Sequence, residues 1–290
     1  MRQDNVLFIT LDSCRLDTAI STHTPNLDRI GRLIPSYTTA TFTLPAHLSF
    51  FSGFLPVPTG PHLYLGRYAR VWRSQAARPT SKAVYEWIDT PTIIEHYGRR
   101  GYLVHGVGGV QFFDPRNEAN FLPALFDSFE YCGPSAGQAI EDGPVAFTAH
   151  ALETAVAKMN GTVPFFLFAN LSETHYPYHS PGCSDDEATR DALRIMQLSE
   201  GEKRYPAIAE GRLIELLQPA RTRQRESLRW IDTMLGRVLD ILLNAEMPTL
   251  IVVCADHGES FGEGGLVGHG HPAPEVMTVP MWAGLVGPTH

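Results

Sequence analysis

The chain lacks most of the patterns that would announce a function at once. It has four cysteines, Cys14, Cys132, Cys183 and Cys254, and no two of them stand in a Cys-x-x-Cys spacing. That argues against a zinc ribbon or a dithiol redox pair and for reduced thiols in a cytoplasmic protein. No apolar run approaches the roughly 20 residues that cross a bilayer. Arg2-Gln3-Asp4-Asn5 leads straight into a strand-like run without a signal-peptide pattern, so no membrane partner is expected. Basic residues are the minority: 23 Lys and Arg against 31 Asp and Glu leave a formal charge of −8, the wrong sign for a nucleic-acid partner. Internal repeats and low-complexity tracts are absent. No Gly-x-Gly-x-x-Gly follows the first strand, and Gly106-Val-Gly-Gly109 is a weak substitute for a dinucleotide fingerprint.

What is present suits a large α/β core. The 290 residues are 43% hydrophobic and 19% charged. Three uninterrupted apolar runs, over 5–11, 165–171 and 249–254, predict strands covered on both faces. Weaker strand patterns occupy 102–107 and 279–285. Helix signals lie between them. Thr24 and Pro25 read as N-cap and first helical residue of a segment reaching Leu33. Pro45 to Phe51, closed by Gly53, has the same start and stop chemistry, with Thr43 or Leu44 as cap. Thr92 opens a helix that Gly101 ends, and a long amphipathic one runs from about Ala220 to Asn244. Its Leu228, Ile231, Leu235, Val238, Leu239 and Leu242 recur at helical spacing. Strands alternating with helices predict a three-layer α/β sandwich, a mostly parallel, doubly wound sheet with helices on both faces. Residues 55–79 read as a loop rich in Pro, Gly and basic residues. The polar stretch 183–206 reads as irregular, a lid or an insertion.

The chemistry collects at strand ends. The run ending at Cys254 passes into Ala255-Asp256-His257-Gly258-Glu259, and the first strand ends in Asp12. A lone Asp after a strand usually caps a turn. An Asp-His pair after a buried strand, matched by a second carboxylate from another strand, points to a shared site at the carboxyl edge of the sheet. Two carboxylates and an imidazole suit Zn²⁺ or Mn²⁺ better than Ca²⁺. Thr43 stands at a helix start, where free N–H groups form an anion site, and coordination to a cation would activate its hydroxyl. His175 follows the strand at 165–171. His269 and His271 follow the Asp-His tip, and all three are placed to face anionic oxygens. Glu173, His175, His179, His269 and His271 are candidates for a second ion, although one ion is favoured.

Together these segments resemble the sulfatase branch of the alkaline phosphatase superfamily. The matches are Asn5 to Asp17, with its Asp12 and Arg15-Leu16-Asp17; Thr24-Pro25-Asn26-Leu27-Asp28; Thr43-Leu44-Pro45-Ala46-His47 before the helix ending at Gly53; His175-Tyr176-Pro177-Tyr178; and Ala255 through Gly270. The likeness spans about residues 5–285. It implies that 1–290 forms one alkaline-phosphatase-like catalytic domain without the usual C-terminal subdomain. It also implies metal ligands at Asp12, Thr43, Asp256 and His257, and anion contacts from His175 and His269. His47 falls where many members carry an arginine supporting the nucleophile, so it is grouped with the substrate-binding residues.

The departures sharpen the expectation. Ser13 stands where many sulfatases carry a second metal-binding Asp. Thr43 replaces the Cys or Ser that becomes formylglycine, which closes the ordinary sulfatase mechanism. Thr41 remains a second candidate nucleophile, because phosphoethanolamine transferases place theirs further upstream of the proline. The expected function is metal-dependent hydrolysis of small-molecule phosphodiesters, phosphomonoesters or phosphonate monoesters, through a phospho-threonine and with His175 or His269 moving the proton. Transfer to an acceptor alcohol, sulfate-ester hydrolysis without formylglycine and non-catalytic ligand binding are the alternatives. Self-association is compatible with all of them.

Overall fold

The computed structural model describes residues 4–53, 91–118, 120–134, 146–198 and 208–288. The proposed loop at 55–79 lies outside them. Seven strands form one mixed sheet in the order β2-β9-β6-β1-β5-β3-β4. At its centre β1 (Asn5–Leu11) runs parallel to both β5 (Phe165–Leu171) and β6 (Thr249–Ala255). Beyond β5 lie the parallel strands β3 (Leu103–Gly108) and β4 (Ser128–Tyr131). Beyond β6, β9 (Thr278–Val286) runs antiparallel and pairs with the edge strand β2 (Ile34–Tyr37). A two-stranded ribbon, β7 (Ser260–Phe261) with β8 (Val267–Gly268), stands apart from the sheet.

Both faces of β1 are buried, but against different partners. Leu7, Ile9 and Leu11 pack with the long helix α7 (Glu210–Leu243) and with α5 (Thr148–Met159). The six apolar residues of α7 at helical spacing, Leu228 through Leu242, are all in this core. On the other face, Val6 and Phe8 meet α3 (Thr43–Ser52) and α4 (Ile93–Arg99) in an aromatic core that includes Phe51, Phe113, Phe126 and Phe168. Fully burying each such side chain contributes about 1.5–3 kcal/mol. The result is the expected helix–sheet–helix sandwich.

Local expectations are met unevenly. The Thr92 cap of α4 is a full capping box, with Glu95 N–H donating to Thr92 Oγ1 at 3.1 Å and Thr92 N–H to Glu95 Oε2 at 2.7 Å. Gly53 ends α3 with φ 74°, a left-handed cap that a side chain would strain. Three readings need correction. The 183–206 stretch is not irregular throughout, because α6 (Glu187–Leu198) occupies its centre and packs Ala192 and Met196 beside Leu213 and Leu217 of α7; residues 199–206 lie outside the described part. The helix α7 begins ten residues before Ala220 and carries Pro219 inside it, where the missing N–H costs one ladder bond that the packing of its flanks offsets. The helix α2 (Pro25–Ile30) stops three residues short of Leu33, and Thr24 makes no side-chain cap bond.

The cap of α2 comes from α7 instead. Asp232 Oδ1 accepts from Asn26 N–H at 3.0 Å and Leu27 N–H at 2.8 Å, and Oδ2 accepts from the Asn26 amide at 3.1 Å. A carboxylate there satisfies two orphan donors and faces the positive end of the helix. Replacing Asp232 by Ala is therefore expected to cost about 1–2 kcal/mol, read as a lower urea midpoint at unchanged m-value. Asp232→Asn, which keeps one acceptor oxygen, should lose less.

Candidate active site

Three loops leave the carboxyl ends of β1, β5 and β6 side by side. The first carries Asp12, whose N–H donates to Leu171 O at 3.1 Å, so the end of β1 is tied to the end of β5. The third carries Asp256 and His257. Ligand atoms of Asp12, Asp256 and His257 all lie within 4.8 Å of one another, and all three residues are fully buried. Thr43, the first residue of α3, completes the group. Its Oγ1 lies 3.4 Å from Asp12 Oδ2 and 3.4 Å from His257 Nε2. Phe42, not Thr43 or Leu44, is the N-cap of that helix, so the threonine sits one step inside the expected position. Thr41 is buried nearby but forms no hydrogen bond to Asp12, Asp256 or His257.

The surrounding bonds decide which atoms face the centre. His257 Nδ1 donates to Gly258 O at 2.9 Å, which leaves the Nε2 lone pair turned toward the carboxylates. Asp256 Oδ1 accepts from the N–H groups of Ser13 (3.1 Å) and His257 (2.9 Å), whereas its buried Oδ2 has no hydrogen-bond partner. Asp12 Oδ1 accepts from Ser13 Oγ at 3.2 Å, and Oδ2 from Asn170 Nδ2 at 2.9 Å. Ser13 does this with φ 60°, a backbone conformation that costs a non-glycine residue about 1–3 kcal/mol. Thr38 Oγ1 holds the Asp256 carbonyl. Gly258 is required for close approach, since a Cβ there would meet Glu275 O at 2.0 Å.

Electrostatics set the two carboxylates apart. Burial, and Asp12 beside it, push the Asp256 carboxyl well above the usual range. Burial would raise Asp12 too, but His175, His257 and the Asn170 amide more than offset it and hold Asp12 low. His257 is driven down to about 3, first by burial and then by His269, so its imidazole is neutral.

His47 is placed behind Thr43. Its Nδ1 donates to Thr43 O at 2.7 Å, and its Nε2 is 3.0 Å from Thr10 Oγ1, which in turn accepts from Asn170 Nδ2 at 3.1 Å. Phe50, Phe51, Phe113 and Phe168 surround the ring, and burial lowers it to about 4. Fully buried and bonded at both nitrogens, it lies behind the first turn of α3. His175 and His269 stand together, ring centroids 5.4 Å apart, with His269 4.4 Å from His257. His175 Nδ1 bonds Tyr176 O at 2.7 Å, and His269 Nδ1 bonds Glu259 Oε1 at 2.9 Å. His271 turns to Ser260 Oγ, 2.9 Å from Nε2. Of the second-ion candidates, Glu173 is occupied elsewhere. Its carboxylate takes Thr148 Oγ1 (2.5 Å) and Ala149 N–H (3.0 Å) and so caps α5. His179 Nδ1 faces Arg223 Nη2 at 3.4 Å.

A model of the sulfatase family matches residues 4–281. The chain belongs to the sulfatase family. It is 23% identical to choline-sulfatase of Rhizobium meliloti (strain 1021) over 84% of this chain and 54% of that protein, so it spans about half the length of this curated relative. Among solved structures it resembles the C-terminal periplasmic domain of EcEptC from Escherichia coli in complex with Zn, with TM-score 0.60 and 12% identity over 98% of this chain and 74% of that one. It also resembles the phosphonate monoester hydrolase of Agrobacterium radiobacter, with TM-score 0.59 and 17% identity over 97% and 68%. A protein of the alkaline phosphatase superfamily from Vibrio parahaemolyticus matches at TM-score 0.59 and 18% identity over 98% and 60%. At these identities the likenesses show the fold, which is that of the alkaline phosphatase superfamily.

Family members of this kind hold a divalent cation, and the residues here fit one. An orphaned buried carboxylate oxygen, a second buried carboxylate and an imidazole lone pair converge on one point. Sequence reasoning missed the supports: Asn170, Thr10, Thr38, Ser13 N–H and Gln224. The last donates through Nε2 to Ser13 O (2.9 Å) and Thr174 O (3.1 Å), joining two site loops. One signal was available, an Asn inside the otherwise apolar run of β5.

Titrating metal-free protein with Zn²⁺ or Mn²⁺ should raise its melting temperature, by about 5–10 °C at a hundred times Kd. Asp256→Asn should melt no lower than wild type without metal, since it relieves carboxylate repulsion, and should lose the metal-dependent rise. Differential scanning calorimetry reads both.

Proposed function

We propose that this sulfatase-family protein hydrolyses small phosphate-type esters, phosphodiesters or phosphonate monoesters among them, with Thr43 as the nucleophile. The observation that carries this reading is the Thr43 hydroxyl, 3.4 Å from both Asp12 and His257 at the start of a helix. Asp12, Thr43, Asp256 and His257 would hold one divalent ion, Zn²⁺ or Mn²⁺, which when bound neutralises the carboxylates and lowers the pKa of the threonine hydroxyl. The chain's own residues supply the rest. The N–H groups of Thr43 and Leu44 have no partner within the helix and face a bound anion with the helix dipole behind them. Pro45 next to them has no N–H to offer. His175 and His269 take the remaining non-bridging oxygens.

Deprotonated Thr43 Oγ attacks phosphorus in line, and the bond from phosphorus to the leaving alcohol breaks. His175 or His269 protonates the departing oxygen. Water then attacks the phospho-threonine, its proton passes to the same histidine, and the Thr43 oxygen leaves. The chain Asn170 to Thr10 to His47 to Thr43 O keeps the first turn of α3 fixed, so that the hydroxyl meets the reacting phosphorus in one orientation. A β-branched nucleophile adds to that, because its χ1 is stiff. A cytoplasmic location suits the four unpaired thiols.

Thr43→Ala is expected to lose several powers of ten in kcat on an aryl phosphodiester with Mn²⁺ or Zn²⁺, while Thr43→Ser retains turnover and Thr41→Ala behaves as wild type. Undiminished turnover by Thr43→Ala would defeat the assignment. His175→Ala should cost about 10²–10³ in kcat, as for one oxyanion donor. Aryl phosphate, phosphonate and sulfate esters assayed side by side decide the substrate class: turnover of the sulfate ester alone would replace this reading.

A further inference from the structure

Two residues with no part in the mechanism above form a buried hydrogen-bonded chain that ends on His269. Glu259 is 1% exposed, and its two oxygens are used by two different loops. Oε1 pairs with His269 Nδ1 at 2.9 Å, and Oε2 accepts from Tyr178 OH at 3.1 Å. Tyr178 is fully buried and sits at φ 59°, in the left-handed region. Its backbone is pinned by Tyr178 N–H to His175 O (2.6 Å) and by Arg223 Nε to Tyr178 O (2.9 Å). The strained backbone thus delivers the phenol to Glu259. Arg15 Nη1 donates to Glu259 O at 2.9 Å and holds the main chain of the same residue.

We propose that Tyr178 and Glu259 are positioning residues that lock the ring of His269 beside His175. The inference rests on the anion-binding role given to His269 under Proposed function. With Oε2 already accepting from Tyr178, Oε1 lies 2.9 Å from His269 Nδ1, where it accepts that N–H and fixes the nitrogen. Contact with substrate then falls to Nε2. This is the device by which carboxylates orient ligating and reacting histidines elsewhere. The phenol supplies the second donor that a buried carboxylate requires. Burial and Glu259 raise its pKa well above the ordinary value, so it stays a donor. The chain also couples two distant segments: Tyr178 belongs to the His175 loop, and Glu259 and His269 to the segment after β6. The loops that carry the two histidines are therefore joined through a single buried carboxylate.

The test is a double-mutant cycle on the metal-loaded enzyme with an aryl phosphodiester. Glu259→Gln, which is isosteric, and Tyr178→Phe should each lower kcat, by about 10–100-fold for Glu259→Gln, with KM moving less. In a His269→Ala background, the same substitutions should have almost no further effect on kcat. An independent readout is the proton NMR spectrum of the metal-free protein. A downfield His269 Nδ1–H resonance should be present in wild type, absent in His269→Ala and displaced in Glu259→Gln. Losses that multiply independently across the cycle, or a Glu259→Gln enzyme with wild-type kcat, would overturn the inference and leave the role of His269 standing. A His269→Ala enzyme as active as wild type would overturn that role and this inference with it.

Discussion

Two carboxylates forced together in the interior are the constraint around which this molecule is built. Asp12 and Asp256 have ligand atoms within 4.8 Å of each other and no exposure to water. Were both ionised, their repulsion would be about 3–4 kcal/mol at an effective dielectric of about 20. That is a large share of the 5–15 kcal/mol by which an ordinary domain is stable. The fold offsets part of it locally. Backbone N–H groups from Ser13 and His257 aim at one Asp256 oxygen, and the Asn170 amide and Ser13 hydroxyl aim at Asp12. The other Asp256 oxygen is left without a donor. A network that leaves a carboxylate oxygen without a donor, at the point where another carboxylate and an imidazole also face, is organised for a cation rather than for stability alone.

The rest of the architecture keeps those atoms from drifting apart. Parallel pairing of β1 with β5 and β6 sets three strand ends in register, and the sheet cores on both faces make that register rigid. The helix α7 then acts beyond its core role. Gln224 ties the Asp12 loop to the His175 loop, Arg223 holds Tyr178 O, and Arg221 reaches Asp17, itself bonded to Arg15. Three residues of one helix thus fasten the loops that leave two different strands. The Arg15-Leu16-Asp17 motif belongs to this fastening. Its guanidinium also donates to Glu263 and to the Glu259 carbonyl.

How much of this could be read in advance followed from the range of each interaction. The three central strands and the buried face of α7 were legible, because their signal is a run or period within a few residues. Asp12, Asp256 and His257 were legible because hard donors directly after a buried strand break that pattern. Caps were legible only when local. Thr92 and Glu95 close their own box, whereas the helix after Thr24 is capped by Asp232 from 206 positions away. Gln224, Asn170 and Thr10 matter through partners more than 150 residues distant, and no spacing in one chain reveals such pairs. His47 was singled out by its place in a motif, but the four aromatic rings that enclose it and its bond to the Thr43 carbonyl were not legible there.

The segment Asp256-His257-Gly258-Glu259 shows why a short motif can persist as a unit while its residues do unrelated jobs. Asp256 presents one oxygen to two amides and the other to the centre. His257 spends Nδ1 on the carbonyl of Gly258, which directs Nε2 at Asp12 and Thr43. Gly258 has no side chain because Glu275 O lies where its Cβ would be, and its N–H donates to Val276 O at 2.8 Å. Glu259, two positions beyond His257, faces away from that centre toward Tyr178 and His269. A larger residue at 258 would move the backbone against Glu275, and the displacement would reach His257 on one side and Glu259 on the other. The glycine is therefore as much a determinant of the site's geometry as the donors flanking it, although it brings no side chain of its own.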